Sequence, residues 1–298
     1  MSNCGPGGGG TESCCTSLPV TGGTYNRTYT NTGSGATGQA DPANVSSFRL
    51  DKYLVTVGRF RQFVNAWNGG AGWLPTQGSG KHTHLNGGLG LANSGSPGNY
   101  EPGWNTSNNA NIAPTNSHLA CENFATWTNT AGTPPTWSVT SSPENLPIDC
   151  VDWWEAYAFC TWDGGFLPSE AEWEYAAAGG CVQREYPWGS TDPGMANQYA
   201  IYGGWDPQVI DLVGTAPAGG GLWGQLDLAG EVWEWVLDWY ASAYGNPCTD
   251  CADLTPGSTG LVRGGDYGLN TSYFSPHREV PGSLSTGTNN GLRCARAP

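Results

Sequence analysis

The chain has 298 residues, with 11 basic and 25 acidic side chains and a formal charge of −14. A phosphate backbone is repelled by such a field, which excludes nucleic acid as a natural partner and makes anionic membrane surfaces poor ones. No run of ~20 apolar residues occurs, so no membrane-spanning helix is expected.

Fifteen tryptophans and thirteen tyrosines supply ample core, since each aromatic ring can bury ~150–250 Å². The 46 glycines and 21 prolines work against long regular elements, so loops and short strands packed around rings are expected. Ten cysteines in a lysine-poor, loop-rich chain point to an oxidising compartment, hence to a secreted or cell-surface protein. Met1 leads straight into Ser2-Asn3-Cys4 with no export signal; Met1 is read as an artificial or trimmed start from which that signal has been removed.

Residues 1–17 are rich in Gly, Cys and Ser and read as an irregular stalk or small stapled cap. Residues 18–298 read as one further domain. Val20 to Asn31 suggests strand and turn around Gly22-Gly23, and Phe48 to Val55 is strand-like. Thr56 caps a helix in which Val57, Phe60, Val64 and Trp67 share a face, and Gly69-Gly70 ends it. Residues 69–145 are Gly, Asn, Thr, Ser and Pro with scattered tryptophans, a long loop insertion of the kind that carries specificity. His82-Thr83-His84 lies within it. On a strand these two would share a face and could take His118 as a third metal ligand, although solvated loop histidines are the plainer reading.

Asp152 and Glu155 form a capping box that opens a second helix, with Trp153, Tyr157 and Cys160 on one face and Gly164-Gly165 as its stop. Ser169 and Glu172 repeat the device for a third, ended by Gly179-Gly180. Beyond it only short strands and turns are expected, with no internal repeat and no interdomain linker.

Three blocks stand out. The first runs from Leu146 through Val151-Asp152-Trp153-Trp154-Glu155-Ala156 to Cys160, then Leu167-Pro168-Ser169-Glu170-Ala171-Glu172-Trp173-Glu174-Tyr175 and Tyr186-Pro187-Trp188-Gly189. The second is Asp227-Leu228-Ala229-Gly230-Glu231-Val232-Trp233-Glu234-Trp235. The third is Val262-Arg263-Gly264-Gly265-Asp266, closed by Gly291-Leu292-Arg293-Cys294. Their order, spacing and content resemble the formylglycine-generating enzyme family, the sulfatase-modifying factors, over roughly Leu18 to Pro298. The resemblance implies an α+β, C-type-lectin-like formylglycine-generating-enzyme fold of low regular content, stapled by disulfides.

In that family two cysteines after the Arg-Gly-Gly-Ser strand bind copper and meet the substrate thiol. The matching positions here are Leu269 and Phe274, and the serine is Asp266. Neither side chain offers a lone pair to a soft metal, so no copper is expected and formylglycine generation by the known mechanism is excluded. A related iron-dependent branch uses a His-x-x-x-His pair, which this chain lacks. The resemblance implies structural calcium at Asp227, the Gly230 and Val232 carbonyls and Glu234, an oxygen set that suits the ion. It implies a second, less well spaced site at Asn197, the Gln198 carbonyl and Asp211. It also implies a Cys160–Cys294 disulfide. Cys121–Cys150 is expected to anchor the insertion, and Cys248/Cys251 to staple a loop rather than act in redox chemistry. Cys4, Cys14, Cys15 and Cys181 are left without an assigned pairing.

Two functional readings follow. One is a secreted, non-catalytic module that binds carbohydrate or another extracellular protein, or that self-assembles into a surface structure. The other is an enzyme with altered chemistry, in which Asp266, Tyr267, Tyr273, His277 and Arg278 supply acid–base groups in the former pocket; a plain polar loop is the competing account of those five.

Overall fold

Helix α1 (Val57–Trp67) starts where Thr56 accepts a hydrogen bond from the Arg59 amide, and it buries Phe60, Phe63 and Trp67. Asn68 (φ 48°) makes the left-handed turn that ends it, one residue before the glycines. In this computed structural model the described residues are 2–4, 11–121, 125–128, 143–194, 196–203, 210–276, 280–284 and 289–298. Both expected capping boxes are formed, by Asp152 and Glu155 at the start of α2 (Trp153–Trp162) and by Ser169 and Glu172 at the start of α3 (Glu170–Ala178). Each satisfies two of the orphan N–H groups at a helix start. All nine residues of α3 are buried, so its three glutamates need internal partners.

The strands are short, and the fold is α+β. One sheet runs in the order Val280–Ser283, Thr259–Arg263, Trp233–Trp239, Asn290–Gly291, the last pair parallel and the others antiparallel. A second joins Ala295–Arg296, Phe48–Asp51 and Ser17–Val20, with the N- and C-terminal strands on either side of Phe48–Asp51. The third is a hairpin, Gly23–Thr30 with Thr37–Val45, extended in parallel by Cys248–Thr249. The main core gathers α1, α2 and the strand Trp233–Trp239, with the Phe60, Phe63 and Phe159 rings in mutual contact. The 69–145 insertion contributes Leu85, Leu91, Trp104, Ile112, Leu119 and Trp127 to that core, so it is anchored by aromatic and aliphatic burial rather than lying loose on the surface.

Four disulfides are present: Cys4–Cys14, Cys121–Cys150, Cys160–Cys294 and Cys248–Cys251, with Cys15 and Cys181 free and exposed. Cys160–Cys294 spans 134 residues and ties α2 to the C-terminal strand, a closure worth about 2–4 kcal/mol. Cys4 and Cys14 pack with Tyr53, Leu54, Val213, Leu226 and Val232, so the stapled N-terminal segment covers its own small apolar cluster. Among the described residues no helix is long and apolar enough to cross a membrane.

Candidate functional site

The strand Thr259–Arg263 delivers the Arg-Gly-Gly turn. Arg263 is fully buried; it donates to the Pro276 carbonyl (2.9 Å) and the Tyr244 hydroxyl (3.1 Å) and pairs with Glu170 and Glu174 of α3. Gly264 and Gly265 follow with φ of 94° and 78°, a left-handed pair that side chains resist. The Phe274 ring lies against Gly265, so close that a Cβ there would meet it at 3.2 Å. Phe274 is 1% exposed and meets Tyr202 edge-on at 4.9 Å, beside Ala200 and Ala229. Leu269 packs half-buried on the main core. The two positions expected to match the family cysteines, Leu269 and Phe274, are both engaged in packing.

Asp266 is buried, and both of its oxygens are used: Asn289 donates to Oδ2 (2.7 Å) and the Gly268 amide to Oδ1 (2.9 Å). Burial raises its pKa, with the Asn289 bond pulling the other way. The Tyr267 hydroxyl donates to Asn289 Oδ1 (3.2 Å), and Tyr273 meets the Trp233 ring edge-on at 5.9 Å. The structure thus joins Asp266 and Tyr267 through Asn289, which the sequence reading missed because nothing local marks a loop asparagine 23 residues downstream. His277 and Arg278 lie outside the described residues.

Of the residues expected to hold calcium with Gly230 and Val232, Glu234 accepts from Arg293 at Oε2 (2.5 Å) and Oε1 (2.9 Å) and from Trp173 Nε1 at Oε2 (3.0 Å). Asp227 accepts from the Gly214 amide (2.8 Å), and burial, opposed by Arg293, pushes its pKa up to about 7. The neighbouring Glu231 is 1% exposed, at φ 62°. Its Oε2 accepts from the Asp211 amide (3.2 Å), while Oε1 has no hydrogen-bond partner among the described residues. Burial, then the charges of Asp227 and Asp211, holds its pKa well above the usual carboxylate range. Asn197 is half-buried at φ 52°, and Gln198 is exposed. Glu231, which neither expected set contained, thus feels a residue from each.

The histidines do not form a triad. His82 is fully buried between Glu101 and Glu172, with Nδ1 3.0 Å from one and Nε2 3.1 Å from the other. Burial opposes its charge, but the two carboxylates outweigh that and push its pKa up to about 10. His84 stacks on Phe166 (5.5 Å), and burial lowers its pKa. His118 sits elsewhere, on Glu155 at the start of α2 (2.8 Å).

The model of the sulfatase-modifying factor enzyme 1-like domain matches residues 9–298. The chain belongs to that family. The formylglycine-generating enzyme of Streptomyces coelicolor is 37% identical over 174 residues, 53% of this chain and 54% of the relative. A Bos taurus protein named inactive C-alpha-formylglycine-generating enzyme 2 is 36% identical over 104 residues, 33% of this chain and 35% of its own. The chain thus spans about half or less of the length of these curated relatives. The structure of PvdO from Pseudomonas aeruginosa superimposes with a TM-score of 0.60 at 18% identity, covering 96% of this chain and all of the other, and shows the common formylglycine-generating-enzyme-like fold.

Proposed function

We propose that this chain is an extracellular, non-catalytic member of the sulfatase-modifying factor family that serves as a binding module. The observation that carries the reading is Phe274, buried on Gly265 and Tyr202 where the family places a reactive cysteine. Oxygen activation at a soft metal needs thiolate ligands, and leucine and phenylalanine supply none. The alternative of altered acid–base chemistry is weakened by Asp266, whose oxygens are spent on Asn289 and Gly268. Four disulfides support an oxidising, extracellular setting. Incubation with copper and a Cys-x-Pro-x-Arg peptide is expected to leave the peptide mass unchanged; multiple turnovers to the aldehyde would refute the reading.

A structural calcium at Asp227, the Gly230 and Val232 carbonyls and Glu234 belongs to the same proposal. These are hard oxygen donors of the kind the ion takes, on one contiguous buried turn and strand. Ion binding at a hundredfold excess over Kd stabilises by about 2.7 kcal/mol, so chelation is expected to lower Tm by roughly 4 °C in a chain of this length. Asp227→Ala should abolish most of that response. A melt indifferent to chelator and calcium alike would remove the ion from the account.

A further inference from the structure

A cavity of about 360 Å³ opens between the start of α2, insertion residues 101–108 and the end of the strand Trp233–Trp239, apart from the Arg263–Phe274 region. Its walls are indoles. Trp154 stands at 90° to Trp153 (4.8 Å) and at 84° to Trp104 (6.1 Å), and Trp239 tilts over Trp153 at 6.0 Å. Trp154 therefore stands perpendicular to both Trp153 and Trp104. The volume falls in the ~300–1,000 Å³ range of small-ligand sites, which pair apolar walls with a few placed polar groups.

The polar groups divide into two kinds. Trp153 Nε1 already donates to the Val236 carbonyl, Trp104 Nε1 to Asn109 and the Tyr157 hydroxyl to the Ser79 carbonyl. Trp154, Trp239 and Asn108 line the same cavity, are only partly buried, and among the described residues make no side-chain hydrogen bond, so their N–H groups are available to a hydroxylated ligand.

Charge narrows the class further. Glu101 is the one carboxylate on the lining, and it is spent: its oxygens accept from the His82 and Leu91 amides and face His82 Nδ1. No free counter-charge remains for a cation or an anion. A purely apolar ligand would leave the amide and indole donors unsatisfied.

We propose that this cavity binds a neutral pyranose, its C–H face stacked on the tryptophan walls and its hydroxyls bonded to Trp154, Trp239 and Asn108. The inference rests on reading the chain as a binding module and names its ligand class. Chito-, cello-, malto- and galacto-oligosaccharides, titrated into the intact disulfide-bonded protein, should include at least one that saturably changes tryptophan fluorescence and releases heat. Trp154→Ala and Asn108→Ala should each weaken that binding about tenfold, the scale of one lost stacking or hydrogen-bonding contact, with the melting temperature of Asn108→Ala unchanged. Silence across the neutral panel, saturable binding of tetramethylammonium instead, or full retention of saccharide affinity in both variants would overturn the assignment. Aldehyde formation by the unaltered protein would refute the non-catalytic reading without touching this cavity, so the two failures are distinguishable.

Discussion

Arg293→Met is expected to destabilise the protein by about 3–5 kcal/mol, because it strips a buried carboxylate of its only cation. Arg293 is fully buried. It bonds both oxygens of Glu234 and also donates to the main-chain carbonyls of Asp51, Leu226 and Asp227. One side chain thus ties the strand Phe48–Asp51, the Asp227 turn and the strand Trp233–Trp239 to the C-terminal segment. Methionine fills much of the volume but leaves Glu234 charged, with Trp173 Nε1 as its remaining side-chain donor. Pairing the change with Glu234→Gln should recover part of the loss, since the two residues are in direct contact and their effects should not add. Urea midpoints of the two single variants and the double variant measure this coupling. A loss below about 1 kcal/mol for Arg293→Met would mean that the pair is replaceable by water.

The second large effect concerns His82. Its imidazolium separates Glu101 from Glu172, and replacing it by Gln leaves two buried carboxylates without a cation, at a cost of again about 3–5 kcal/mol near neutral pH. The pH dependence carries a distinctive sign. A free histidine titrates near ~6.5, whereas folded His82 holds its proton to about 10. The folded state therefore binds more protons between those values, and stability falls as pH rises through that window. The contribution is complete below about pH 6.5 and gone above the folded value. His118, whose pKa the hydrogen bond to Glu155 raises to about 9, acts in the same direction, weakened by its partial exposure. Wild-type urea midpoints should drop between pH 6.5 and pH 10, and His82→Gln should flatten that slope. A wild-type curve that is level or rising over this range would contradict the assignment of charge to His82.

Some of this was open to inspection in the residues alone. A capping box closes within four residues, so Asp152/Glu155 and Ser169/Glu172 could be read directly, and the helices they start are where the pattern placed them. Block order was enough to indicate the family, because Asp227 to Trp235 and Arg263 to Asp266 are contiguous in sequence. The same contiguity set the expectation that Leu269 and Phe274 stand at the family's sulfur positions.

What needed the folded chain is whatever depends on contact between distant segments. Glu172 shows the division within one side chain: its capping role spans three residues and was legible, whereas its pairing with His82 spans 90 and was not. Glu234 read as a calcium ligand, but that Arg293, 59 residues on, bonds both of its oxygens was not legible. Glu231 read as a plain motif position until its turn buried it without a partner for Oε1. The tryptophans were visible by count, but which of them line a cavity was settled only by the packing of 101–108 against α2. Local hydrogen bonds are encoded by nearest neighbours along the chain, whereas desolvation and charge pairing depend on what the fold brings from far away; the sequence by itself determined the first, and tertiary structure decided the second.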